Sequence, residues 1–182
     1  MQKRITLITG TPGIGKTTVI MRVAEELKAR GKLVGGMTSK EQRDGEIRKG
    51  FLIQDVSNGN QGWLASVNQS DGPRVGKYRV NLNDLESIGA KAIQEATKSA
   101  DVIIIDEIGP MELRSLAFKK AVQEALDSRK PVIATIRFKA VDEFVTSIKN
   151  RPDSELIEVN FHNRNGLHNL ITEKITKTHQ GD

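Results

Sequence analysis

Residues 8–18 read ITGTPGIGKTT, a glycine-rich segment that directly follows a short apolar stretch. Within it Gly10, four intervening residues, Gly15, Lys16 and Thr17 satisfy the pattern G-x-x-x-x-G-K-[ST] of a phosphate-binding loop. This pattern carries its chemistry only between a β-strand and an α-helix. The flanking residues therefore decide whether the segment binds phosphate or is only a glycine-rich turn.

Both flanks of the loop match that requirement. The apolar residues from Ile5 to Ile8 predict a strand, and apolar residues recur at helical spacing from Val19 to Leu27. Gly31 then provides a C-terminal stop signal for the helix. The order strand, glycine-rich loop, helix favours the phosphate-binding interpretation.

In such a loop the backbone N–H groups and the helix N-terminus bind an anion of phosphate size. The residues assigned to nucleotide binding are Gly10, Thr11, Pro12, Gly13, Ile14, Gly15, Lys16, Thr17 and Thr18. Lys16 is also assigned a catalytic role, because its charge reaches the β- and γ-phosphates. The Thr17 hydroxyl is a predicted ligand of Mg²⁺, the expected cofactor.

The segment DVIIIDE, residues 101–107, predicts a central strand that ends in two acids. Four consecutive β-branched residues indicate burial on both faces, so the acids lie at the carboxyl edge of a parallel sheet, where open α/β folds bind ligands. Asp106 is the second predicted ligand of Mg²⁺, which prefers carboxylates near phosphates. Glu107 is the predicted general base or water-positioning group.

The rest of the chain predicts an α/β fold with a mainly parallel sheet flanked by helices, in one domain spanning residues 1–182. Between about residues 33 and 82, turn signals separate short alternating strands, which predicts an inserted antiparallel hairpin or meander beside the parallel sheet. Asn83, with Glu86 three residues later, predicts the start of a second helix. Helix and strand then alternate, with a strand at 131–136, a helix containing Val141 through Ile148, a strand at 156–159 and a terminal helix.

The amino-acid composition argues against some classes of function. The 182 residues include 28 Lys and Arg against 23 Asp and Glu, a net charge of +5, with no Cys and only seven aromatic residues. The basic residues are scattered, so nucleic-acid binding is not expected as the main function. Without a signal-peptide pattern or a long apolar run, we expect a cytoplasmic protein without a membrane association, and a monomer.

Five blocks of the sequence together resemble the THEP-type nucleoside-triphosphatases, the family that includes the cancer-related nucleoside-triphosphatase of animals. These blocks read GTPGIGKTT, GEIRKGFLIQDV, RVGKYRVNL, DEIGPMEL and HNRNGL. The resemblance as a whole spans roughly residues 3 to 176. The resemblance implies a Mg²⁺-dependent triphosphatase that accepts several bases, on a Rossmannoid P-loop sheet with an inserted hairpin region. Carried over by position, it implies the same phosphate loop and acids, with a polar block at Asn163, Arg164 and Asn165.

Several residues allow two interpretations from sequence. Arg164 is assigned to nucleotide binding as a residue that stacks on the base, although the block around it is equally typical of an Asn helix cap followed by exposed residues. Arg137 is either a transition-state arginine or a solvated basic residue. Glu112 either orders the loop behind the acids or favours a helix N-terminus by its charge, and we prefer the structural role.

Two further groups carry no assigned chemistry. The three histidines, at 162, 168 and 179, lack the spacing of a metal site with the acids. The basic residues of the meander are interpreted as a solvated strand edge in preference to part of a substrate channel. They are Lys40, Arg43, Arg48, Lys49, Arg74, Lys77 and Arg79.

Three functions compete at this stage. Hydrolysis of the terminal phosphate of ATP, GTP and other nucleoside triphosphates ranks first, because Glu107 adjoins the metal acid. A nucleotide or nucleoside kinase that transfers the γ-phosphate to a small-molecule acceptor ranks second. A nucleotide-binding switch with little turnover ranks third.

Overall fold

The computed structural model describes residues 3–178, within which the chain folds around one nine-stranded sheet. Met1, Gln2 and residues 179–182, including the His179 considered above, lie outside the described residues. The strands are β1 (Ile5–Thr9), β2 (Val34–Asp44), β3 (Ile47–Asp55), β4 (Gln61–Ser66), β5 (Arg74–Val75), β6 (Tyr78–Val80), β7 (Val102–Ile108), β8 (Val132–Ile136) and β9 (Ser154–Glu158).

Helices connect these strands and cover the sheet. They are α1 (Lys16–Ala29), α2 (Leu82–Asp84), α3 (Lys91–Ser99), α4 (Leu116–Asp127), α5 (Glu143–Lys149) and α6 (Leu167–Thr178), with a π-helical turn at Leu85–Ala90 and a 3₁₀ turn at Glu112–Arg114. Across residues 3–178, no helix has the length and apolar character needed to cross a membrane.

The strand order in the sheet is β5-β6-β4-β3-β2-β7-β8-β1-β9. Strands β2, β7, β8, β1 and β9 run parallel to one another, whereas β3, β4, β6 and β5 extend the sheet beyond β2 in antiparallel fashion. This confirms the predicted α/β fold with its mainly parallel sheet and added antiparallel strands. Because β1, β8 and β7 are adjacent and parallel, their carboxyl ends meet at one edge.

Burial on both faces explains the aliphatic run in β7. Ile103 and Ile105 pack into the core formed with α3, α4 and α5, whereas Val102 and Ile104 pack into the core formed with α1 and α6. All four side chains are at most 1% exposed. Burial of an aliphatic side chain contributes about 1.5–3 kcal/mol, so the aliphatic part of β7 is a rigid support for Asp106 and Glu107 near the end of the same strand.

The antiparallel region differs from the prediction of short strands laid beside the sheet. β2 spans 11 residues, and its first half pairs with β7 while its second half pairs with β3. Thr38 lies opposite Asp106, so β2 continues for six more residues beyond the level of Asp106. The insertion is therefore continuous with the parallel part of the sheet, because one strand carries both pairings.

The basic residues at the end of this hairpin lie on an exposed, ion-paired surface. Glu41 accepts ion pairs from Arg43 at 3.0 Å and from Arg48 at 2.7 Å, and Lys49 lies 3.7 Å from Asp44. Exposed pairs of this kind contribute little to stability but neutralise the local charge. This arrangement agrees with the strand-edge interpretation.

Two helix starts were predicted at the wrong residue. The second helix is capped by Asn81, whose side chain accepts from the Asp84 N–H at 3.1 Å, so Asn83 lies inside the first turn. β6 ends at Val80, which places Asn81 where the chain leaves the sheet. Val141 is 91% exposed and precedes α5, which begins after Asp142 caps it.

Candidate active site

The phosphate loop connects β1 to α1 and has the backbone geometry that its glycines allow. Gly10 has φ 151°, and a Cβ there would lie 2.8 Å from the Val159 carbonyl oxygen, so a larger residue would displace the neighbouring chain. Gly15 has φ 111° and no side chain that caps the helix. The first turn of α1 contains no acid, so its free N–H groups can bind an anion.

Lys16 holds its charge over this loop. Its ammonium Nζ donates to the Gly10 carbonyl oxygen at 3.1 Å, and the side chain is half-buried. The same ammonium lies close enough to Asp106 and Glu107 to favour their ionised forms. The positive charge is thus placed between the anion-binding loop and the two acids.

Asp106 directly follows the buried aliphatic run of β7, and only 2% of its surface is exposed. The Thr135 hydroxyl donates to its Oδ1 at 2.5 Å, whereas Oδ2 is buried and has no hydrogen-bond partner. Burial raises the pKa of this carboxyl, and Thr135, Thr17 and Lys16 oppose that rise. A buried acceptor oxygen without a partner, close to the Thr17 side chain, fits the hard cation predicted from sequence.

Thr135 is a site residue that the sequence analysis missed. It is fully buried in β8, which lies between the strands that carry the phosphate loop and the acids. Its hydrogen bond fixes the orientation of the Asp106 carboxylate. The available signal was a single hydroxyl residue in the otherwise apolar stretch VIATI, residues 132–136.

Glu107 is half-buried and adjoins Asp106 at the same edge. Burial raises the pKa of its carboxyl, the Asp106 charge raises it further, and Lys16 and Arg137 oppose the rise. Arg137 directly follows β8 and is exposed, yet its charge acts on Glu107. The structure thus brings the predicted catalytic pair, Lys16 and Glu107, together with an arginine whose role the sequence left open.

Glu112 lies behind Glu107 and is only 4% exposed. Gly109 separates the two carboxyl groups, because a Cβ on it would lie 2.5 Å from Glu107 Oε1 and 3.1 Å from Glu112 Oε2. Burial, followed by the Glu107 charge, raises the pKa of Glu112 to about 8. A neutral, buried Glu112 fits the loop-ordering interpretation better than a charge effect at a helix N-terminus.

This raised pKa makes folding stability depend on pH. Glu112 keeps its proton in the folded protein up to pH about 8, whereas in the unfolded chain it ionises near its ordinary value of 4.5. Between these values the folded state binds one more proton, so the free energy of unfolding falls as pH rises, by about 1.4 kcal/mol per pH unit. We expect Glu112→Gln to remove this component of the slope and to stabilise the protein most at pH 8.

The measurement is urea unfolding between pH 5 and pH 8 without nucleotide or divalent cation. Glu46→Gln, an exposed carboxyl in the hairpin turn, is the matched control and should leave the wild-type slope unchanged. Parallel stability profiles for wild type and Glu112→Gln across this range would contradict the prediction.

The polar block near the C-terminal helix divides into a structural part and an exposed part. The Asn163 side chain donates to the Glu158 carbonyl at 2.8 Å and accepts from the Asn160 N–H at 2.9 Å, which shapes the loop. Arg164 is exposed, and its guanidinium lies 4.9 Å from the centre of the Phe161 ring. Asn165 is exposed as well.

This loop leaves the sheet beside the phosphate loop. The Val159 N–H donates to the Thr9 carbonyl at 2.8 Å, and the Val159 carbonyl lies against Gly10. Phe161 is 73% exposed, although large apolar side chains are usually buried. Phe161 and Arg164 therefore form an exposed stacking surface, which we call the Phe161–Arg164 platform.

The two histidines that the structure describes lie away from Asp106 and Glu107. His168 Nε2 lies 3.1 Å from Glu26 Oε1, between α6 and α1, and His162 is exposed in the loop before α6. Within residues 3–178, no group of three or more His, Asp or Glu side chains is arranged to hold a metal ion by itself. The arrangement at Asp106 instead resembles that of Mg²⁺ sites completed by substrate phosphates.

Comparison with known proteins relates nearly the whole chain to nucleoside-triphosphatases. A family model described as NTPase matches residues 5–172. The chain is 46% identical over 170 residues to the nucleoside-triphosphatase THEP1 of Thermofilum pendens, covering 93% of each chain. It is also 46% identical over 176 residues to the THEP1 of Thermotoga maritima, covering 97% of each chain.

Solved structures share the fold. The crystal structure of THEP1 from Aquifex aeolicus has a TM-score of 0.81 and 33% identity, covering 94% of this chain and 98% of that one. The solution structure of a human cancer-related nucleoside triphosphatase has a TM-score of 0.80 and 34% identity, covering 98% and 99%. The resemblance stated from the sequence blocks is confirmed, and the chain belongs to the THEP1 nucleoside-triphosphatase family.

Proposed function

We propose that this protein is a Mg²⁺-dependent nucleoside triphosphatase that releases the terminal phosphate of ATP, GTP and other nucleoside triphosphates. The observation that carries the proposal is the convergence of Lys16, Thr17, Asp106 and Glu107 at one edge of the sheet. The single continuous sheet supports a proposal that the chain acts as one domain.

The residues that would hold Mg²⁺ are Thr17 and Asp106. Asp106 offers the unpartnered Oδ2, and the Thr135 hydrogen bond to Oδ1 keeps that oxygen oriented. When bound, the ion neutralises charge on the β- and γ-phosphate oxygens and helps to orient the triphosphate. Glu107 is not among these proposed ligands, so its carboxylate would be available to the attacking water.

The remaining steps belong to side chains and backbone of this chain. The N–H groups of the phosphate loop and the Lys16 ammonium bind the β- and γ-phosphates and stabilise charge that develops on them. Glu107 orients the attacking water and accepts its proton as the bond to the γ-phosphorus forms. The bond between the γ-phosphorus and the bridging oxygen breaks, which leaves a nucleoside diphosphate and phosphate.

Water is the acceptor that the comparisons support. The family model is described as NTPase, and the relatives reported above are named nucleoside-triphosphatases. Neither supports the kinase alternative raised from the sequence.

The Phe161–Arg164 platform supports a broad base preference. It presents an aromatic face and a guanidinium plane beside the phosphate loop. Every base has a π-face, so stacking discriminates little between bases, whereas hydrogen bonds to base edges discriminate strongly. We propose that the platform stacks on the base of any of the four common triphosphates.

The test is steady-state phosphate release from ATP, GTP, CTP and UTP with Mg²⁺, without an added acceptor. We expect comparable kcat/KM for all four. Phe161→Ala should raise KM for each by a similar factor, about 5–150-fold if one stacking contact of 1–3 kcal/mol is lost, with little change in kcat. His162→Ala, an exposed neighbour in the same loop, is the control and should leave KM unchanged.

Two results would contradict the proposal in different ways. Release from only one triphosphate, or a Phe161→Ala effect confined to one base, would contradict broad specificity. Negligible release that rises only when a nucleoside or nucleotide acceptor is added, with the acceptor becoming phosphorylated, would contradict hydrolysis itself.

A further inference from the structure

A cavity of about 610 Å³ lies at the carboxyl edge of the sheet, on the side of the core that contains α4 and α5. Its walls include Ile108 at the end of β7, the segment 137–142 that follows β8, and Lys119 of α4. No residue of the phosphate loop lines it, and α1 packs against the opposite face of the sheet. The volume is in the range of about 300–1,000 Å³ typical of small-molecule sites.

The lining of this cavity is strongly basic. It contains four cationic side chains and one acid, Asp142, whose carboxylate is engaged with the Phe144 N–H at the start of α5. Among the residues that the structure describes, none of the four cationic side chains forms a hydrogen bond or ion pair. They are Arg114, Lys119, Arg137 and Lys139. Among the described residues, Lys139 contacts an aromatic ring and the Arg137 charge acts on Glu107, which leaves Arg114 and Lys119 as the cations that favour an anionic ligand in this cavity.

The same cavity offers an apolar and aromatic surface. Phe138 is half-buried, and the Lys139 ammonium lies 5.5 Å from the centre of its ring. Leu113 and Val145 add aliphatic contacts. An anionic group of a ligand therefore suits Arg114 and Lys119, and a ring or apolar group of the same ligand suits Phe138.

The cavity reaches the catalytic edge. Ile108 directly follows Glu107, and Arg137 lines the cavity while its charge acts on Glu107. Lys16 acts on Glu107 from the phosphate loop. Glu107 thus lies between the phosphate loop and the basic cavity.

We propose that this cavity binds a second ligand at the same time as the phosphate loop binds a triphosphate. Its chemical class is a phosphate monoester that carries a planar ring, such as a nucleoside monophosphate. The phosphate contacts Arg114 and Lys119, and the ring contacts Phe138. This site lies outside the nucleotide site proposed above and needs no turnover to be detected.

The experiment is calorimetric titration with adenosine monophosphate. The protein is first saturated with Mg²⁺ and the non-hydrolysable β,γ-imido analogue of ATP, so that the phosphate loop is occupied. We expect one further binding event in the wild type. In the double variant Arg114→Ala/Lys119→Ala its affinity should fall at least about tenfold, because two charge-assisted contacts are lost.

Lys120→Ala is the matched control, because Lys120 follows Lys119 in α4 but is 76% exposed and faces away toward Glu124. It should bind adenosine monophosphate within about twofold of wild type, a difference below 0.5 kcal/mol. Basal hydrolysis and thermal stability of both variants should match the wild type, since none of Arg114, Lys119 and Lys120 belongs to the catalytic set.

Three results would overturn the proposal. The first is the absence of binding to wild type with the phosphate loop occupied. The second is equal affinity of the double variant and Lys120→Ala. The third is equal affinity of the wild type for inorganic phosphate and for adenosine monophosphate, which would show that the ring contributes nothing.

Discussion

Replacement of Glu107 by glutamine is expected to lower kcat about 10²–10⁴-fold while the affinity for nucleoside triphosphates stays close to that of wild type. Glutamine keeps the size of the side chain but cannot accept the proton of the attacking water. The groups assigned to binding are unchanged, because they belong to the phosphate loop, to Asp106 and to the Phe161–Arg164 platform. The effect should therefore fall on the chemical step.

The measurement combines phosphate release with equilibrium binding of a fluorescent triphosphate. The control is Glu46→Gln, the same chemical change at an exposed site in the hairpin, which should retain wild-type kcat. A kcat of Glu107→Gln equal to that of the wild type would show that another group activates the water. Weakened binding together with a lowered kcat would place Glu107 in binding instead.

Lys16→Ala is expected to differ by weakening binding and turnover together. Its ammonium donates to the Gly10 carbonyl, next to the helix N-terminus that we propose binds the phosphates. A charge in that position contacts the triphosphate before and during the reaction, so its loss raises KM and lowers kcat. We expect kcat to fall about 10²–10³-fold, as when one group that stabilises transition-state charge is removed.

The matched control is Arg22→Ala, which removes one positive charge from an exposed position of the same helix. It separates the specific contact of Lys16 from a general change in charge, and both kinetic constants should match the wild type. If Lys16→Ala raised KM with kcat unchanged, the ammonium would contribute only uniform binding. If both constants stayed at wild-type values, the assignment of Lys16 would be wrong.

The Glu112 prediction tests a different property of the same edge. A neutral carboxyl behind Glu107 avoids a third negative charge beside Asp106 and Glu107, at the cost of a stability that falls as pH rises. Sequence alone could not predict this protonation, because it depends on how deeply the turn after β7 is buried. The block DEIGPMEL contains the residues of this turn but does not show how deeply they are buried.

Local sequence patterns were sufficient to predict the phosphate loop and the position of Asp106 and Glu107 in the sheet. The loop is contiguous, and its glycines, lysine and threonine act through backbone geometry within a few residues. The aliphatic run of β7 requires burial on both faces, which places Asp106 at the carboxyl edge of a parallel sheet. The fold class and these residues therefore follow from short-range patterns.

Other features depend on which strands are neighbours. Thr135 meets Asp106 only because β8 lies between β1 and β7, and the hydrophobic pattern of a buried strand does not specify its place in the sheet. β2 was predicted as part of an antiparallel insertion beside the parallel sheet, since its sequence cannot show that one strand pairs with β7 and then with β3. Side-chain periodicity reports burial, whereas strand order depends on long-range pairing.

The sequence by itself thus determined the α/β class, the phosphate loop and the two acids, because these depend on residues that are adjacent in the chain. Only the tertiary structure decided the hydrogen bond of Thr135, the approach of Arg137 to Glu107 and the basic cavity beside them. Each of these joins segments about 30 residues apart or comes from several strand and helix ends at once. Their contacts arise from the packing of the whole sheet, which no local pattern encodes.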